Sequence, residues 1–103
     1  MKSDYRTISV ERVTNFAKTS SIERLVLAKR NIEEYISICD YDAESITPEI
    51  LAPNTDQDTQ RRLIKAKLII LEKRGAAYQF LTIINKEIET RMQAYEAKNR
   101  PAK

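Results

Sequence analysis

TQRRLIKAKLIILEKRGAAYQFLTIINKEIETRMQAYEAK, residues 59–98, is the stretch that decides the fold. It contains no proline and a single glycine, Gly75, and its apolar side chains recur every three or four positions. That period belongs to one very long helix, or to two helices meeting at Gly75. Lys73 and Arg74 before a glycine suit a helix C-terminus. Nothing after Gly75 caps a new helix, however, and an interior glycine costs only about 1 kcal/mol relative to alanine. Continuity is the favoured reading. A continuous helix would span roughly 60 Å, more than the rest of so short a chain is expected to cover, so part of its apolar face would need another chain. Ile64, Leu68, Leu71, Gly75 and Tyr78 read as one seam and Leu81, Ile84, Ile88 and Tyr95 as another, with a slip in phase between Tyr78 and Leu81. The runs 68–71 and 80–84 wrap most of the way round the helix and call for contacts from more than one side, as in a bundle.

Upstream, Thr7 or Ser9 can cap a helix over 8–18 with Val10, Val13, Phe16 and Ala17 on one face. Ser20 and Glu23 have the spacing of a capping box, which predicts a second helix over 21–39. Its seam, Ile22, Leu25, Lys29, Ile32, Ile36 and Cys39, alternates spacings of three and four as a short heptad repeat does. Residues 40–56 read as an acidic connector broken by Pro48 and Pro53, with Thr47 and Pro48 opening one isolated helical turn. Asn54, Thr55, Asp56 and Asp58 offer caps for the long helix, placed over 57–98. The polar tail 99–103, with Pro101, is expected to fray. The expectation is one all-α domain over 1–103, a helical hairpin or small helical bundle with a long C-terminal helix and coiled-coil-like packing.

Charge is segregated along the chain. Residues 40–58 carry six acidic and no basic side chains, whereas residues 59–103 carry eleven basic and four acidic ones. An acidic connector beside a basic helix can attract it within the monomer or across a dimer. The lone Cys39 has no partner for an internal disulfide and points to a reducing, cytoplasmic setting. No apolar run approaches the length of a signal core or a membrane span, so no membrane partner is expected.

For chemistry the sequence offers mainly exclusions. There is no histidine, which removes the commonest general base and metal ligand. One cysteine makes no thiolate cluster, and no glycine-rich loop exists to cradle phosphates, so no enzyme activity and no cofactor is expected. Asp40, Asp42 and Glu44 alternate like the start of a calcium loop, but Ser45 stands where that loop needs glycine and Leu51 where it needs a bidentate glutamate. No metal site is expected.

Two surfaces remain. Leu81, Ile84, Ile88, Met92 and Tyr95 are the residues expected at a partner or dimer interface, serving a noncatalytic adaptor, assembly factor, chaperone-like or regulatory subunit that forms a homodimer and receives a partner helix. Tyr41 and Tyr95, near expected helix ends, suit interfaces because tyrosine buries area while keeping a polar tip. The alternative is a small nucleic-acid-associated regulator using Arg61, Arg62, Lys65, Lys73 and Arg74 as phosphate contacts. No aromatic residues are interleaved with those cations for base stacking.

Overall fold

The computed structural model describes residues 4–100. After one 3₁₀ turn at Tyr5–Thr7 come three helices, α1 (Val10–Thr19), α2 (Ile22–Leu51) and α3 (Gln57–Lys98), and no strand occurs among the described residues. α2 and α3 form an antiparallel hairpin, and α1 with the preceding turn packs on one end of it. The molecule is a rod of 71 × 27 × 18 Å. α3 runs unbroken through Gly75, which has no positive φ, so the long stretch is one helix.

The acidic segment departs most from expectation. Residues 40–51 are not a connector but the second half of α2, and only 52–56 join the helices. The reason lies in the seam: Cys39, Ala43, Ile46 and Ile50 continue the spacing of Leu25, Lys29, Ile32 and Ile36, so packing against α3 outweighs the local cost of one proline. Pro48 lies in the last turn of α2, and the carbonyl that its missing N–H would have met belongs to exposed Glu44. Thr47 does not cap a new turn; its hydroxyl donates to the Ala43 carbonyl at 3.1 Å. The α2 C-terminus is satisfied from the loop and from α3, where the Thr55 hydroxyl donates to the Glu49 carbonyl and the Gln60 amide to that of Ile50. A thirty-residue α2 spans about 45 Å and covers far more of α3 than a helix ending at Cys39 would.

The seam of α3 also differs. Leu63, Lys67, Ile70, Arg74, Ala77, Leu81, Ile84 and Ile88 face α2 in unbroken steps of three and four, each buried or half-buried. There is no slip in phase. It is simulated by Lys67 and Arg74, two cations at seam positions whose partners lie on α2: Lys67 Nζ donates to Thr47 Oγ1 at 2.8 Å, and Arg74 pairs with Asp40. Both partners come from the segment expected to be a connector. The attraction between acidic and basic halves is thus made inside the monomer, at least by Asp40.

The core is concentrated at the end that carries α1. Leu25 is 0 %, Ile84 1 % and Phe80 2 % exposed, and burying side chains of this size contributes roughly 1.5–3 kcal/mol each. Tyr5 sits edge-on to Tyr35 and Phe80, with ring centroids 4.9 and 5.5 Å apart. Ser9 caps α1 by accepting from the Arg12 amide, and Ser21, not Ser20, caps α2 by accepting from the Arg24 amide. Ser20 is instead buried in the corner between the helices, its amide donating to the Phe16 carbonyl. Arg91 of α3 closes that corner, donating to the Ala17 carbonyl at 2.9 Å, where a cation also meets the negative end of α1. Just beyond, at the C-terminus of α3, Asn99 bonds to the Tyr95 carbonyl, and residues 101–103 of the expected tail lie outside the described residues.

Candidate functional site

At about 100° per residue, α3 has three lengthwise strips. The first faces α2. A second, including Lys73 and Phe80, faces the N-terminal turn and α1, as its shared linings with Asp4 and Tyr5 show. The third lies about 100° from the seam on the opposite side, and no element of the described chain covers it. It carries Ile64, Leu68, Leu71, Gly75 and Tyr78, the residues that read from sequence as a seam. Ile64, Leu68 and Tyr78 are exposed, Leu68 by 55 %, and Leu71 is half-buried. These residues have heptad spacing, but no described element of the chain packs on them. Beyond Tyr78 the same strip turns polar, with Thr82, Asn85 and Glu89, before it reaches Met92. The apolar stripe is thus a bounded patch roughly 21 Å long.

The five apolar residues expected at an interface divide. Ile84 belongs to the chain's own core, and Leu81 and Ile88 are half-buried against that core. The physical reason is the uninterrupted seam, which turns all three toward α2. Ile84, 1 % exposed, therefore offers no surface to a partner. Met92 and Tyr95 are exposed by 50 % and 67 %, because α3 runs on past the start of α2. With Ile22, Arg91 and Glu96 they line a shallow groove of about 530 Å³ at the end of the rod. Tyr41 is also exposed, on the outer side of α2.

The five cations divide too. Arg61, Arg62 and Lys65 are exposed on the first turns of α3, beside the apolar stripe. Lys73 lines a groove with Asp4 and Asp42, and Arg74 is paired with Asp40. A phosphate backbone would therefore meet three of the five expected contacts, while the other two face carboxylates. Among the acidic residues Asp40 faces Arg74 and Asp42 faces the groove holding Lys73, so helical geometry spreads the calcium-like trio of Asp40, Asp42 and Glu44 over two sides.

Sequence reading missed the Tyr5–Tyr35–Phe80 cluster and the corner made by Arg91. The tyrosine lies in a short polar segment with no period of its own, and the arginine acts on carbonyls 74 residues away in sequence. Burial raises the Tyr5 and Tyr35 hydroxyls and the Cys39 thiol above their ordinary ranges. No helix of the described residues is long and apolar enough to cross a membrane. No protein-family model, curated protein or solved structure matches the chain.

Proposed function

We propose that this protein is a noncatalytic protein–protein interaction module, an adaptor, assembly factor, chaperone-like or regulatory subunit that recognises other chains through α3. The observation that carries the reading is the stripe Ile64, Leu68, Leu71 and Tyr78, apolar at heptad spacing and uncovered by any element of the described residues. Such a strip offers helix-on-helix docking, the anchors arriving every three or four residues. Met92 and Tyr95, with Ile22 beside them, extend the apolar surface at the other end of α3 and are the second candidate contact. A single buried thiol and the lack of any disulfide partner support a reducing, cytoplasmic setting.

Site-specific photo-crosslinking in cells tests the proposal. A photoreactive residue at Leu68 is expected to give discrete adducts, whereas one at Asn85, on the polar continuation of the same strip, is expected to give none. Equal labelling from both positions would sink the reading. The alternative, a nucleic-acid-associated regulator, would rest on Arg61, Arg62 and Lys65. It requires duplex binding that falls steeply with salt, which docking on an apolar stripe does not.

A further inference from the structure

Resting on the interaction reading above, we propose that the occupant of the stripe is the stripe of a second copy of this chain, packed antiparallel about a two-fold axis at Leu71. The starting point is Gly75. It is the only glycine in the chain, it lies in mid-helix, and a Cβ built on it would meet nothing within 4 Å. The monomer has no steric need for it, and alanine would make a better helix. A glycine in the middle of an exposed apolar stripe is explained by close approach of something outside the monomer.

The stripe is self-complementary in its spacing. Leu71 lies seven residues from both Ile64 and Tyr78, while Leu68 and Gly75 stand three and four residues to its two sides. Turning one copy about Leu71 therefore brings Leu68 within one residue of the level of Gly75 in the second copy, where the missing side chain leaves a hole for a knob. The same operation sets Ile64 opposite Tyr78. A C2 contact must be self-complementary in this way.

Charge favours the same orientation. The internal register of the hairpin places Asp40 level with Arg74 and Thr47 level with Lys67, and hence Glu33 level with Leu81. Helical spacing from Asp40 puts Glu33 on the open side of α2, where it is exposed. The two-fold at Leu71 brings Arg61 to the level of Leu81 in the second copy, and so beside that copy's Glu33. A parallel pair would instead stack Arg61, Arg62 and Lys65 of the two copies against each other, with the glycines face to face. Like charges so placed repel, so charge selects the antiparallel pairing.

The test uses the full chain in sedimentation equilibrium with cysteine crosslinking. The native protein is expected to pass from 12.0 kDa to twice that mass with concentration. Gly75→Ala is expected to act with opposite signs, raising the thermal midpoint of the dilute monomer while weakening self-association by about tenfold, because the added methyl fills the hole. In a Cys39→Ala background, Leu71→Cys is expected to form an interchain disulfide under mild oxidation, and Ile64→Cys, whose own counterpart lies far away, is expected not to. Ile64→Cys and Tyr78→Cys proteins mixed together are expected to crosslink to each other. A monomer at every concentration, undiminished association of Gly75→Ala, or equally fast crosslinking of Leu71→Cys and Ile64→Cys each overturns the proposal. A purified monomer whose Leu68 crosslinks in cells to a different chain would overturn self-docking and leave the interaction reading standing; a monomer with no Leu68 adduct would sink both.

Discussion

The two ends of the hairpin are built on the same heptad repeat and completed differently. At the base, residues 22–39 of α2 and 73–92 of α3 are joined by α1 and the Tyr5 turn, and the third layer turns a two-helix contact into a closed core around Phe80, Leu25 and Ile84. In the outer half, α2 and α3 pack alone. Their shared seam there includes Lys67, with the Arg74–Asp40 pair at its boundary with the base, and Ile64, Leu68 and Leu51 stand exposed. A helix pair has two open sides as well as a seam, and only a third element removes apolar side chains on one of those sides from water. The base supplies that element from its own chain. In the outer half no described element does so, and Ile64 and Leu68 stay exposed.

The sharpest way to break this contrast is to truncate one large apolar side chain at each end. Phe80→Ala is expected to cost about 3–5 kcal/mol in denaturant unfolding, because a nearly fully buried ring leaves a cavity. Leu68→Ala should change the stability of the dilute monomer by less than about 0.5 kcal/mol. Comparable losses at both sites would mean that the outer stripe is already covered within the monomer.

A smaller effect probes the attachment of the third layer. Arg91→Met keeps much of the stem but removes the donor to the Ala17 carbonyl, and a cation at a helix C-terminus contributes about 0.3–1 kcal/mol. The expected result is a loss of that order, with faster amide exchange in α1 and little change near Gln60. Uniform acceleration through both halves would show that the base and the outer half unfold as one unit.

The weakest perturbation is alkaline pH. Burial raises the folded-state pKa of Cys39, and likewise of Tyr35 and Tyr5. A raised folded value means stability that is fully present below the unfolded pKa and is lost as pH climbs through the folded one. With ordinary values of 9.0 for the thiol and 10.0 for the phenols, the loss is expected to begin above about pH 9 and to appear first at the base, where all three groups sit. Tyrosine absorbance and amide exchange followed together would check it, and an outer half that opened first would contradict the assignment.

Much of this was legible in the chain. The period of residues 59–98, the caps at Ser9 and near Ser21, and the first half of the α2 seam all follow from local steric and hydrogen-bonding preferences. Helix class and the continuity of α3 through Gly75 depend on those preferences. The length of α2 does not. Pro48 and six acidic side chains argue locally for a connector, and the opposing force is burial of Ala43, Ile46 and Ile50 together with the meeting of Asp40 and Thr47 with Arg74 and Lys67, contacts made across twenty or more residues. The candidate surface divides in the same manner. The residues Ile64 to Tyr78 could be recognised as a stripe from spacing alone, and so could Leu81, Ile84 and Ile88. Which stripe the chain covers for itself was decided only in three dimensions, because a helix with apolar residues on several sides carries no local mark of the side that α2 will occupy, and cations at two seam positions disguise the side that it does.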